Sequence, residues 1–260
     1  MSAVHYSEAQ MLEWVGRFMW PLLRVGSLFI SLPVFTSHGV PARARLILAV
    51  VISLALAPAV PTPPAIALFS LEGFATVAQQ LFIGVLTGYI LQLVYATTVY
   101  GGNIVSLSMG LGFASLIDPQ TGVQVPVVAQ IYLILTTLIF LGTDGHLLLI
   151  EMLADSFQTI PVGVDGIGLP ALKALLAWSS LVFSGGILMA LPIMSVLLFI
   201  TIGMGVATRA APQLSIFSVG FPLTIGAGLF LLWSLIPEAV QNAARLLREA
   251  YGLVRSFLLV

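Results

Sequence analysis

The sequence predicts an all-α membrane protein made of about six apolar helical segments that proline and glycine interrupt. The first observation is composition: 59% of the 260 residues are hydrophobic, only 7% are charged, and the mean hydropathy is +1.11. Because a soluble domain carries about a quarter charged residues, this chain must be surrounded largely by lipid or by other apolar protein. The second observation is that no insert of the size of a soluble domain separates the apolar segments. We therefore expect residues 1–260 to form a single helical domain.

Six stretches approach the length of about 20 mostly apolar residues that a spanning helix needs. They are Trp20–Phe35, Leu46–Val60, Phe74–Tyr100, Val125–Gly142, Leu181–Val206 and Ser215–Ile236. Several are poorly suited to face lipid, because proline bends a helix and glycine weakens it. Irregular backbone at membrane depth is tolerated where protein covers it. Three glycine patterns accordingly predict burial against protein by close helix packing: Gly84 with Gly88, Gly203 with Gly205, and the run Gly220, Gly226 and Gly228.

The last part of the chain predicts a different helix, one with an apolar face and a basic face. Its apolar residues recur at helical spacing, and three arginines lie between them. The apolar residues are Leu246, Leu247, Tyr251, Val254 and Leu258, and the arginines are Arg245, Arg248 and Arg255. Such a helix is expected to lie on a membrane surface or on a partner protein.

Charge and motif content disfavour nucleic-acid binding and catalysis. The net charge is −1, and the absence of cysteine excludes disulfides and thiol chemistry. The densest cluster of polar residues is His146 with Asp144, Glu151 and Asp155. One histidine with scattered acids is weak evidence for a metal site, and we interpret the cluster as a solvated connector. No nucleophile elbow, zinc-binding helix motif or phosphate-binding loop occurs. We predict no enzyme activity and no cofactor.

Charged residues inside an apolar segment are functional candidates, because burying a charge is costly. Arg17 and Arg24 are seven residues apart and share one helix face, and Glu13 lies four residues before Arg17. We interpret these residues as members of ion pairs, within the chain or between subunits, that fix packing. The other segments are nearly free of ionisable groups, which weakens the case for ion coupling. A secondary transporter or small-solute channel acting alone is the alternative function.

The stretch VSLSMGLGFASLIDP, residues 105–119, is too apolar for an ordinary loop and too rich in glycine for an ordinary spanning helix. Its bulky residues include Met109, Leu111, Phe113 and Leu116, and the residues that make its backbone pliable are Gly110, Gly112, Ala114 and Ser115. A short apolar loop can close an aqueous path by excluding water. The residues alone support this gating role and a tightly packed connector equally.

Five runs of sequence together resemble a known family. They are WPLLRV (20–25), LPVF with VPARARLILA (32–35 and 40–49), MGLGFASLIDP (109–119), GHLLLIEMLADSF (145–157) and APQLSIFSVGFPLT (211–224). The chain resembles the FliR/SctT family of type III export-gate membrane proteins over nearly its whole length. The resemblance implies a non-enzymatic core component that joins FliP and FliQ, with FlhB and FlhA in the same apparatus. It implies a multi-pass protein of the bacterial inner membrane, in the flagellar basal body, through whose pore unfolded flagellar proteins are exported.

The resemblance also implies an internal organisation. Residues 1 to about 180 would form a FliP-like part that contains the loop 105–119, and about 181–260 would form a FliQ-like hairpin followed by the amphipathic helix. The loop Met109–Leu116 would act as a plug inside the pore. The residues expected to support structure and assembly are Arg17, Arg24, Arg209, Pro212, Gln213 and Pro222.

Overall fold

The computed structural model describes residues 8–36, 40–58, 60–61, 64, 66, 70–112, 126–163, 168–211 and 219–258. These ranges contain helices and no strand, so the all-α prediction is confirmed for the described part of the chain. The helices are α1 (Glu8–Ser31), α2 (Pro33–Thr36), α3 (Ala42–Leu56), α4 (Leu71–Ser108), α5 (Val127–Gly142), α6 (Gly145–Thr159), α7 (Leu169–Ser179), α8 (Leu181–Ala210) and α9 (Phe221–Leu258).

The described residues of the six predicted segments lie mostly on helices, but several predictions about their limits are corrected. The first segment is divided between α1 and α2, and the third continues beyond Tyr100 to Ser108. The sixth segment does not end at Ile236, because α9 continues through Pro237 to Leu258. The predicted amphipathic tail is therefore the second half of the same helix. The acidic connector after the fourth segment is also helical, since it forms α6.

Proline and a left-handed residue define three of the helix starts. Pro41 (φ −64°, ψ 145°) and Pro126 (φ −53°, ψ 142°) precede α3 and α5 in an extended conformation. Proline lacks an N–H, and this position does not need one for the helix ladder. Before α6, Asp144 has a φ of 53°, a left-handed conformation that aspartate tolerates better than most residues.

Three helical stretches of the described chain are long and apolar enough to cross a membrane. They are α4, the stretch Leu169–Ala210 that contains α7 and α8, and α9; the bent pair α5–α6 would make a fourth span. α1 is not among them. The most apolar part of α4 is mostly buried within the chain, whereas little of the most apolar part of Leu169–Ala210 or of α9 is buried. The chain is therefore a multi-pass membrane protein, and the exposed faces of α8 and α9 need lipid or another protein to cover them.

The helices divide into two compact units, and each is described separately. The first contains residues Met1–Gln92, Asp144–Ala177 and Arg248–Val260. In it α1 packs against α2, α3 and α6. A core cluster joins Trp20 of α1 and Phe157 of α6 to Val60 and Val162 from the connecting segments. Burial of these side chains, at roughly 25 cal/mol per Å² of apolar surface, stabilises the unit.

The contact between α1 and α4 in the first unit depends on glycine. A Cβ atom on Gly84 would lie 2.0 Å from Ser27 Oγ and 2.2 Å from the carbonyl oxygen of Arg24. A Cβ on Gly88 would lie 2.0 Å from Ser31 Oγ. No side chain fits at either distance, so the prediction of close packing at Gly84 and Gly88 is confirmed.

The second unit contains residues Leu93–Thr143 and Trp178–Leu247. The second half of α4 lies at its centre and again uses glycine. A Cβ on Gly102 would lie 2.5 Å from the Cα of Ala129 in α5, and one on Gly101 would lie 3.0 Å from the carbonyl oxygen of Gly186 in α8. Since backbone atoms meet at both places, α5 and α8 approach α4 as closely as two helices can.

The apolar face of the C-terminal half of α9 is covered by the chain itself. Leu246, Leu247, Val254 and Leu258 are all buried. The hydroxyl of Thr159, the last residue of α6, donates a hydrogen bond to the carbonyl oxygen of Leu258. The expectation that this face lies on a membrane surface or on a partner is therefore wrong for these residues.

Candidate functional site

The predicted plug loop begins at a well-defined helix cap. α4 ends at Ser108, and Gly110 has a φ of +85°. The N–H of Gly110 donates to the carbonyl of Leu107 (3.0 Å), and the N–H of Leu111 donates to the carbonyl of Ser106 (3.1 Å). These two bonds form a Schellman motif, which satisfies the last carbonyls of a helix and favours glycine at the left-handed position. Gly110 therefore ends helix α4.

Helix α9 holds this cap in place. The hydroxyl of Thr224 donates to the carbonyl oxygen of Met109 at 3.2 Å. The Met109 side chain is fully buried, and a Cβ on Gly228 would lie 2.5 Å from its Cγ. The ring of Phe221 lies so close to Gly110 that a Cβ there would be 2.8 Å from Cδ1. Met109 and Gly110 are thus anchored residues at the end of α4.

A cavity of about 220 Å³ opens beside the cap. Its lining comes from the end of α4, from α8 and from the start of α9: Leu107, Ser108, Gly110, Thr201, Met204, Gly220, Phe221 and Thr224. The hydroxyls of Ser108 and Thr201 donate to carbonyls of their own helices, both at 2.8 Å. With these groups already paired and no charge in the lining, the cavity suits an apolar side chain better than an ion.

The structure describes only part of the predicted plug. Met109, Gly110, Leu111 and Gly112 lie in or directly after the cap. Phe113, Ala114, Ser115 and Leu116 lie outside the described residues, so the plug itself stays a prediction. Sequence reasoning treated Gly110 as a source of backbone pliability and missed the cap. The signal was present, because a glycine directly after an apolar helical run is typical of a helix end.

Two of the predicted assembly residues lie at helix ends. Arg209 is exposed in the last turn of α8, where a cation interacts favourably with the helix dipole. Pro222 is exposed in the first turn of α9, where the helix needs no N–H from it. Pro212 and Gln213 lie outside the described residues.

Arg17 forms the ion pair that its spacing from Glu13 predicts. Arg17 Nη2 lies 2.8 Å from Glu13 Oε1, and both side chains are partly exposed. A pair of this kind contributes about 0.3–0.5 kcal/mol, so its role is modest.

Arg24 is fully buried and contacts three neutral acceptors. Its Nε and Nη2 donate to Gln80 Oε1 (2.8 and 2.6 Å), its Nη1 to Ser156 Oγ (2.7 Å), and its Nη2 also to the carbonyl of Ile160 (3.0 Å). Its guanidinium carbon lies 3.9 Å from the ring centre of Phe157. Burial lowers the pKa of Arg24 to about 9, which leaves the group protonated at neutral pH. In the described part of the chain no carboxylate pairs with it, so the ion-pair interpretation of Arg24 is wrong there.

The polar cluster around His146 belongs to α6 and not to a loop. Glu151 and Asp155 are exposed on this helix, on the side opposite its buried residues. Within the residues that the structure describes, no three histidine or acidic side chains converge to hold a metal ion.

Long apolar helices, glycine-mediated contacts and a capped apolar turn define a helical membrane protein with no recognisable catalytic centre in its described part. Residues 15–250 match the profile of the family described as bacterial export proteins, family 1. The chain is 38% identical over 245 residues to the flagellar biosynthetic protein FliR of Escherichia coli (strain K12), which covers 94% of both chains. It is 39% identical over 255 residues to FliR of Pectobacterium carotovorum subsp. carotovorum, which covers 97% of both chains. It is 28% identical over 239 residues to FliR of Bacillus subtilis (strain 168), which covers 89% of this chain and 92% of the relative. The chain belongs to the FliR family of bacterial export proteins.

Proposed function

We propose that the chain is a core membrane component of the flagellar type III protein export gate and forms part of the pore through which unfolded flagellar subunits leave the cell. Family membership supports the export role. The observation that carries the pore role is the anchored cap at the end of α4, from which an apolar, glycine-containing segment continues in the sequence. A seal needs a fixed base and apolar residues beyond it, and this arrangement supplies the base.

The sealing residues are Phe113 and Leu116, in the segment that follows Gly112. Bulky apolar side chains across a narrow path exclude water, and without water an ion cannot pass. The small residues Ala114 and Ser115 between them leave the backbone pliable enough for an unfolded chain to displace the segment. Met109 anchors the seal, since it is buried against α9.

The partners of this component are FliP and FliQ, with FlhB and FlhA in the same apparatus of the inner membrane and flagellar basal body. The exposed apolar faces of α8 and α9 support such an assembly. Phe199 of α8 and Trp233 of α9 are more than two-thirds exposed, at 76% and 71%. A Cβ on Gly203 or on Gly226 would meet nothing within 4 Å, so the described part of the chain does not itself bury these two glycines as predicted. Exposed glycines of this kind allow neighbouring helices to approach closely.

The test is an ion-leak measurement on membranes that contain the co-expressed gate. We expect Phe113→Ala with Leu116→Ala to raise the leak while co-purification shows an intact complex. The matched control is Phe74→Ala, which removes an exposed apolar side chain from the first turn of α4, at the opposite end of the helix from the cap, and should leave the leak unchanged. An unchanged leak in the double variant, with the complex intact, would show that these residues do not form the seal.

A second measurement separates the export gate from a transporter or channel that acts alone. The chain purified without partners is placed in vesicles, and ion and solute flux is recorded. The proposed function predicts no flux above that of empty vesicles. Flux through the isolated chain would contradict the proposal.

A further inference from the structure

The buried charge of Arg24 is balanced by the end of a helix and not by an acid. Ile160 directly follows α6, and its carbonyl and the Ser156 hydroxyl both accept hydrogen bonds from the guanidinium. The C-terminal end of a helix carries a partial negative charge of about half a unit and has carbonyls without helical partners. The face of the Phe157 ring adds further attraction for a cation. Arg24 therefore joins α1 to the C-terminal end of α6.

The fourth partner, Gln80, belongs to α4. Its side-chain oxygen accepts from both Nε and Nη2 of Arg24, and the residue is fully buried. This fork is directional, because a guanidinium presents its donors in a fixed plane. One side chain thus connects three helices, α1, α4 and α6, within the first unit.

The remaining contacts between α1 and α4 repeat along the helices. Gly84 lies against Ser27, and Gly88 lies against Ser31, so the same glycine–serine contact recurs after one turn. A displacement of α1 by one turn, about 5.4 Å, would still place a serine against a glycine. The bond between Arg24 and Gln80 has no such repeat and would break.

We propose that Arg24 is a positioning residue that sets the register of α1 against α4 and holds the end of α6 on this pair, and that export depends on this register. A buried polar group that specifies register at some cost in stability has precedent in coiled coils. The C-terminal end of α9 is attached to the same end of α6, since the Thr159 hydroxyl donates a hydrogen bond to the carbonyl of Leu258. The inference rests on the proposed export function.

The experiment uses cells that lack their own copy of the chain. Each variant is scored for the amount of chain in the membrane and for flagellar subunit secreted per chain. Arg24→Met alone should lower the amount by about tenfold, because it leaves the buried acceptors on Gln80 and Ile160 without donors. Arg24→Met with Gln80→Met should recover most of this loss, to within about threefold of the wild type, since the Gln80 acceptor is removed together with its donor and the Ile160 carbonyl is the main acceptor left unpaired. Secretion per chain should remain at least about tenfold lower in the double variant, because its register is no longer specified.

Two conservative variants keep the test decisive if the double variant is not produced. Gln80→Glu retains the acceptor geometry and adds a charge partner for Arg24, so secretion per chain should stay within about twofold of the wild type. Ser156→Ala leaves Nη1 of the buried guanidinium without this acceptor and should lower the amount of chain, but secretion per chain should stay within about twofold of the wild type because the bonds to Gln80 that set the register remain. Full secretion by the double apolar variant would overturn the inference. So would a loss of secretion per chain in Gln80→Glu or Ser156→Ala. If the wild-type chain itself fails to restore secretion, the export function is wrong and the register inference falls with it.

Discussion

A methyl group at Gly84 tests whether the contact between α1 and α4 is limited by backbone atoms. In Gly84→Ala the new Cβ would lie 2.0 Å from Ser27 Oγ and 2.2 Å from the carbonyl oxygen of Arg24. The serine hydroxyl can rotate away, but the carbonyl cannot. Since ordinary contacts are 3.4 Å or longer, α1 must move away by about 1 Å or more.

The cost of that movement has two parts. Overpacking a close contact costs about 1–3 kcal/mol. The displacement also stretches the hydrogen bonds from Arg24 to Gln80, one helical turn from Gly84, and bonds to a charged group contribute about 1.5–3 kcal/mol. We expect a total loss of roughly 3–5 kcal/mol and a fall in Tm on the order of 10 °C.

The assay is the fraction of chain that stays soluble after heating detergent-solubilised membranes. Gly26→Ala is the matched control, because a Cβ at this position in α1 itself meets nothing within 4 Å. Replacing glycine by alanine in a helix otherwise stabilises by roughly 0.5–1 kcal/mol. Ser27→Gly should restore less than half of the loss in Gly84→Ala, since the clash with the Arg24 carbonyl remains. A Tm for Gly84→Ala equal to that of the wild type, or complete rescue by Ser27→Gly, would refute the reasoning.

Three further changes test the cap of α4 in the same heating assay. Gly110→Val places a branched residue at a positive φ and against the Phe221 ring, so we expect a loss of stability of roughly 2–4 kcal/mol. Adding Phe221→Ala should recover only the part of this loss that the ring causes. Complete recovery would contradict the role of φ. Thr224→Val removes the bond to the Met109 carbonyl and should cost about 0.5–1.5 kcal/mol, whereas Thr224→Ser should cost less. Gly228→Ala meets only the flexible Met109 side chain and should cost less than about 1 kcal/mol; a loss as large as at the α1–α4 contact would show that this side chain cannot yield.

Local patterns were sufficient to predict the helical segments and one of their contacts. Runs of apolar residues marked the segments, and the four-residue spacing of Gly84 and Gly88 marked a close contact. The same kind of reasoning misread α6, because the charges of Glu151 and Asp155 suggested a solvated connector. Its buried residues nevertheless recur at the spacing of a helix face: Leu149, Met152, Leu153, Ser156 and Phe157. The sequence therefore contains the pattern of a helix with one buried face, and the exposed charges on the other face led to the wrong prediction.

Other features depend on residues that are far apart in the chain. Arg24 bonds residues 56 and 132 positions away, so no local rule identifies its partners. The family resemblance pointed to residues 109–116 as a site, but it could not show that Met109 is buried against Gly228 of α9. The continuation of α9 past Pro237 was also not predicted, because a proline removes one hydrogen bond of the helix and usually ends it. Packing of the helical residues that follow offsets this loss.

The neutral partners of Arg24 have a consequence for acid tolerance. An arginine paired with aspartate or glutamate loses its partner's charge as pH falls toward about 4. The amide, hydroxyl and carbonyl oxygens that contact Arg24 do not titrate. Because burial lowers the folded pKa of Arg24 only to about 9, this group is protonated in both the folded and the unfolded chain at lower pH. The junction of α1, α4 and α6 should therefore contribute the same stability from mildly acidic to neutral conditions, on whichever side of an energised membrane it lies.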